Sequence, residues 1–168
     1  MARTLSLNFR EAINAQESGE VPIFLVTFTH AQLTTPIRLS TDPTTRLSDA
    51  PLLYATVSRG TNFYFVPMEV TLPDEREGSA PRSQIKISNI TREVTELIRA
   101  ITTPPKALLE LVLASTPDSV EVSSPLLDVL ASTTTATDLT LELALNSMQT
   151  ELVPTDHFDP AGFPGLFG

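Results

Sequence analysis

Two histidines are the only imidazoles in the 168-residue chain, and cysteine is absent. His157 lies between Asp156 and Asp159, a spacing that suits a metal ligand or a general base oriented by a carboxylate. Flexible neighbours supply no closed coordination geometry there, so the expectation is a polar collar on an apolar tail. His30 ends a predicted strand and is expected to face solvent rather than pair with His157. No serine sits in a Gly-x-Ser-x-Gly elbow, so a Ser/His/Asp nucleophile is not expected. Asp74-Glu75-Arg76-Glu77-Gly78 gathers carboxylates without the alternating ligand positions of an EF-hand, and reads as a hairpin tip. Asn89-Ile90-Thr91 matches a glycosylation sequon, but without a secretory signal it reads as a helix start. The 6 glycines form no phosphate-cradling motif. The expectation is therefore a protein with no catalytic, cofactor or metal site.

Composition points the same way. Without cysteine there are no disulfides, zinc–thiolate sites, iron–sulfur clusters or thiol catalysis. Twenty acidic against 11 basic residues give a net charge of −9, which opposes binding to a phosphate backbone. A hydrophobic fraction of 41% with 18% charged residues is globular, and the length suits one domain. Arg3, Asn8, Arg10 and Glu11 interrupt the apolar pattern of the N-terminus, so no signal peptide is expected. The apolar run Ala107 to Ala114 is far shorter than the ~20 residues of a membrane-spanning helix.

The elements that must position these residues are read from periodicity. Leu5, Phe9, Ala12 and Ile13 form a helical stripe, with Asn8 and Glu11 as a capping-box variant and Ser18-Gly19 as the stop. Strands are expected over Val21 to His30, Pro36 to Ser40, Phe63 to Leu72 and Gln84 to Ser88. Pro67 implies an edge or a bulge, and Thr41 to about Pro51 reads as a loop. Ile90, Val94, Leu97, Ile98 and Ile101 predict a second helix from Asn89, stopped by Pro104-Pro105. Further strands are expected over Leu108 to Leu113, Ser119 to Val122, Leu126 to Leu130 and Asp138 to Leu145, with a turn or β-edge at Thr133 to Thr135. The expected fold is α+β: a mostly antiparallel β-sandwich or split barrel with two short helices, over residues 1–155. Residues 156–168 form an extended Pro/Gly/Phe tail, in which Phe158, Phe163, Pro164, Leu166 and Phe167 are expected to dock on a partner.

Several stretches recur in a fixed order: Phe9-Arg10-Glu11-Ala12, the strand Pro22 to His30, Tyr64 to Pro67 with Glu69 to Pro73, Ile85 to Ile90, and the terminal Phe163-Pro164-Gly165-Leu166-Phe167. Together they resemble the tail-tip (baseplate) proteins of long-tailed phages and prophages, with an element order similar to the N-terminal hub domain of the lambda-type minor tail protein L. The resemblance spans nearly the whole chain and rests on order rather than on one motif. It implies a hub-like fold and a structural part of the virion, made in the host cytoplasm. It also implies a homo-oligomeric ring of three or six copies, set between tail tube and hub or fibre proteins, through which DNA passes without specific binding and with no membrane contact. The lambda-type protein's cysteine-rich C-terminal iron–sulfur region has no counterpart in this cysteine-free chain, so neither cluster nor redox role is implied.

Bottom-up physics agrees where it can. Spare sheet edges suit closure by a neighbour's strand. An acidic channel wall repels DNA, and Asp74, Glu75 and Glu77 are the expected channel-facing residues. The alternative function is a carbohydrate- or receptor-binding β-sandwich. Sugar stacking favours exposed Trp or Tyr, and the chain has no Trp and only Tyr54 and Tyr64.

Overall fold

A computed structural model describes residues 5–72, 82–88, 103–135 and 137–145. Among them, one helix, α1 (Leu7–Asn14), precedes eleven strands. These are β1 (Pro22–Thr29), β2 (Ile37–Ser40), β3 (Thr45–Asp49), β4 (Leu52–Ser58), β5 (Thr61–Phe65), β6 (Met68–Thr71), β7 (Arg82–Ser88), β8 (Lys106–Leu113), β9 (Thr116–Ser123), β10 (Leu127–Thr134) and β11 (Asp138–Ala144). All belong to one open sheet, ordered β3-β4-β5-β2-β1-β8-β10-β11-β7-β6, with β9 added beside β8. Every pairing is antiparallel except β2 with β5.

The middle of the sheet follows from residue type. Pro22-Ile-Phe-Leu-Val-Thr-Phe-Thr29 is β-branched and aromatic, and it is covered on both faces. Its whole length pairs with β8, from Pro22 against Leu113 to Thr29 against Lys106. On one face, Val26 and Phe28 join Leu39, Ala107, Leu109, Leu127, Ile85 and Leu141 in the main core. On the other, Ile23 and Leu25 pack with Val112 of β8 and Phe63 of β5. A third group closes the main face at its end, where Phe9 of α1 meets Leu111 and Leu113.

Helix α1 is capped two residues earlier than expected. Its N-cap is Ser6, whose Oγ accepts from the Phe9 N–H at 3.1 Å, not Asn8. Phe9 is buried, whereas Ile13 is 62% exposed and so drops out of the expected stripe. The Phe63 to Leu72 strand is split at Val66-Pro67 into β5 and β6, as a missing N–H requires. Two strands differ from the sequence reading. β3 occupies a stretch expected to be loop, and β4 has no counterpart in it at all. β3 is polar and borrows its conformation from pairing with β4, so neither periodicity nor hydropathy marks it. In the Thr133 to Thr135 cluster, Thr133 and Thr134 finish β10 beyond a bulge near Val129, and Thr135 opens the turn to β11, its N–H donating to the Asp138 carbonyl at 2.8 Å. The expected second helix over 89–101 lies outside the described residues, as does the tail 156–168.

Candidate functional site

The meander β3-β4-β5 carries the most distinctive chemistry. Its central turn is Arg59-Gly60, with φ of 51° and 69°. A two-residue hairpin needs positive φ at both positions to match strand twist, and glycine supplies it freely while arginine does not. What holds Arg59 there is its environment. Its N–H donates to Asp118 Oδ1 at 2.5 Å. Its guanidinium makes two parallel bonds to Glu110, Nη1 to Oε1 at 2.8 Å and Nη2 to Oε2 at 2.6 Å. Nε donates to Ser58 Oγ at 3.2 Å, and that hydroxyl donates to the Pro117 carbonyl at 2.7 Å. The Glu110 side chain is only 9% exposed, against 43% for Arg59. Bonding to Glu110 pushes the Arg59 pKa up, opposed by desolvation and assisted by the charges of Glu110 and Asp118.

Beside this pair lies a buried hydroxyl network. Ser40 Oγ and Thr56 Oγ1 are 2.7 Å apart, and Thr56 also donates to the Asp42 carbonyl at 3.0 Å. Ser40, Thr56 and Ser58 are fully buried, and each has a hydrogen-bond partner, as burial of a hydroxyl demands. The arrangement fastens the meander; no nucleophile–base pair is formed by these groups.

The outer side of the meander exposes large apolar side chains beside polar ones, with Asn62 opposite Val57 and Thr45 opposite Ala55. Register places Tyr64 opposite Ala55, and Leu53 and Val57 flank Ala55 on the same face. Leu53, Val57 and Tyr64 are 37%, 37% and 44% exposed. Leu47 and Leu52 add exposed apolar surface on the neighbouring edge. This patch is the candidate site of the molecule, and it suits association rather than chemistry.

Of the residues singled out from sequence, Asp74, Glu75, Glu77, Phe158, Phe163, Pro164, Leu166, Phe167 and His157 lie outside the described residues. His30 follows the end of β1 and is half-exposed; its Nδ1 accepts from the Gln32 N–H at 3.0 Å, and its Nε2 meets Thr103 Oγ1 at 2.5 Å. Among the described residues, no group of three or more metal-ligating side chains is gathered. Sequence reasoning missed Arg59, Glu110 and Glu121. Glu121 is buried in β9, where its Oε2 accepts from the Ser6 N–H at 2.9 Å beside the start of α1, a place that favours a carboxylate. The available signal was Arg-Gly between two strand-like runs, a hairpin mark that requires β4 to be recognised first.

A family profile described as a domain of unknown function, DUF1833, matches residues 8–129. The chain belongs to that family. The DUF1833 match begins in α1, takes in the whole meander with both Arg59 and Glu110, and ends inside β10. β11 lies beyond the DUF1833 match, yet it supplies Leu139, Leu141 and Leu143 to the main core. The folded unit is thus larger than the matched segment. No curated protein matches the chain.

Proposed function

We propose that this DUF1833 protein is a structural, non-enzymatic component of a phage tail tip or baseplate. It forms a ring of three or six copies around the tail channel at the distal end of the tube, and joins the tube to hub and fibre proteins. The observation that carries the reading is the apolar outer face of the meander, Leu53, Val57 and Tyr64, on a strand-rich domain whose sequence order resembles tail-hub proteins. An apolar face beside a free sheet edge suits a second copy of the same chain. In this reading the open sheet is a hub-like sandwich or split barrel. The segment 156–168 docks on an adjacent subunit through Phe158, Phe163, Pro164, Leu166 and Phe167, and the acidic loop with Asp74, Glu75 and Glu77 faces passing DNA. The protein resides in the virion.

Light scattering on the purified full chain tests the reading. A trimer or hexamer is expected, and Leu53→Glu combined with Tyr64→Ser should return it to single folded chains. A monomer at every concentration up to about 100 μM, a regime in which a Kd of ~1 μM would be saturated, would overturn the ring. A monomer that bound a glycan array would favour the carbohydrate-binding alternative instead.

A further inference from the structure

We propose that the β3-β4-β5 meander is a latched flap, which opens as a unit about residues 41–44 and 66–67 while the rest of the sheet stays folded, with Arg59 as the catch. The inference stands on the geometry of one chain and does not depend on the ring.

The backbone attachment of the meander is slight. Inside it, β3 with β4 and β4 with β5 each pair four residues against four. To the rest of the sheet it is joined by one parallel ladder of two pairs, Leu39 with Tyr64 and Ser40 with Phe65. A backbone bond from Val66 N–H to the Ser40 carbonyl, at 3.1 Å, extends that ladder by one link. By contrast, β1 and β8 pair over eight residues and β11 and β7 over seven; β10 also meets β8 through only two pairs, but there Leu127 and Val129 are seated in the main core. A unit that is well paired within itself and poorly paired to its surroundings is the kind that opens locally before global unfolding.

What closes it is a small set of side chains. Phe63 sits 2% exposed among Ile23, Leu25 and Val112. Ser40 bonds Thr56, Ser58 bonds the Pro117 carbonyl, and Arg59 reaches Asp118 and Glu110. These contacts oppose one another in cost. Closing places Arg59 at φ 51°, in the left-handed region that disfavours a side chain, and takes Glu110 out of water. Once detached, the meander has too little apolar face to keep its own pairing, so opening relieves both costs, frees the amides of residues 45–65 and exposes Ile23, Leu25 and Val112 as an apolar slot edged by one carboxylate. A backbone strain held by the bonds of Arg59 to Asp118 and Glu110 makes this residue the switch point. Both connecting segments carry a proline, Pro43 and Pro67, which narrows the paths the flap can take.

Hydrogen-exchange mass spectrometry on the full chain tests the latch. In Glu110→Gln and Arg59→Asn, amides of residues 45–65 should exchange about tenfold faster or more, the change expected when opening becomes easier by one decade. Amides of β1, β8 and β11 should keep the wild-type rate, and Arg59→Lys should fall between. Acceleration spread evenly over all strands, or none over 45–65, would overturn the proposal. A second variant serves if these do not fold. The chain has no cysteine, and the Ser40 and Thr56 side-chain oxygens lie 2.7 Å apart, so Ser40→Cys/Thr56→Cys offers one defined disulfide. Its oxidised form should exchange more slowly than wild type over residues 45–65 and recover on reduction. Equal rates in the two forms, or failure to oxidise, would count against a flap closed by these contacts.

Discussion

Arg59 and Glu110 carry opposite costs that only their pairing offsets. A half-exposed guanidinium keeps part of its hydration, so the pair is worth less than a fully buried one, while the carboxylate alone would be left without a counter-charge. Glu110→Gln is expected to cost about 1–3 kcal/mol in urea titration. Arg59→Asn separates the two terms at that position, because asparagine accepts positive φ but cannot make the ion pair. It should be less damaging than Arg59→Val, which loses the pair and keeps the strain. The pH dependence has a definite sign. The Arg59 pKa is raised by its bond to Glu110, so its contribution is complete below the unfolded-state value and is lost only as pH rises through the still higher folded value. The stability difference between wild type and Arg59→Asn should therefore be the same at about pH 7 and about pH 10, both well below the usual arginine range. A difference that shrank by half over that interval would mean that another group supplies it. Phe63→Ala, which empties the slot between Ile23, Leu25 and Val112, should cost about 3–5 kcal/mol by the same measurement.

Among elements, α1 shows how little holds a short helix. Eight residues are too few to be stable alone, so its place depends on Phe9 in the third core group and on its first turn. Ser6 serves that turn twice: its Oγ accepts from Phe9 N–H, and its own N–H donates to Glu121. Ser6→Ala should cost about 0.5–2 kcal/mol, read as a shift of the urea midpoint at unchanged slope. Loss of α1 by circular dichroism without a change in midpoint would show the helix to be an ornament of the sheet. The free edges also have character. β3 is bulged and carries the Arg46–Asp49 ion pair, and β9 contains Pro117, so these edges resist simple strand addition. Association through the apolar face of the meander answers that geometry better than strand addition at β3 or β9.

For the whole molecule, the described strands build a core among themselves, from Val26 and Phe28 through Leu109 to Leu141. If the tail docks on a neighbouring subunit, a chain lacking Pro160 to Gly168 is expected to fold and to melt within about 2 °C of the full chain. In the tail-tip reading the same deletion prevents particle assembly. A drop of about 8 °C or more in the truncated single chain would instead make the tail a lid on its own domain.

Alternation and turn chemistry are local, and so β1, β7, β8 and β11 were legible: Ile85-Lys86-Ile87 and Leu139-Thr140-Leu141 alternate with a period of two, and the break at Pro67 follows from a missing donor. The absence of cysteine chemistry was likewise set by composition alone. Strand order was not legible, because each strand needs partners that hydropathy does not name. β3 is polar and exists by virtue of β4, and the parallel contact of β2 with β5 joins segments that are not consecutive in the chain. Nor was the Arg59–Glu110 pair, whose members are 51 residues apart and belong to a turn and a buried strand. Only the folded sheet brings an arginine at positive φ against a carboxylate removed from water, where two charge-assisted hydrogen bonds to Glu110 and one from its N–H to Asp118 offset the strain of the turn.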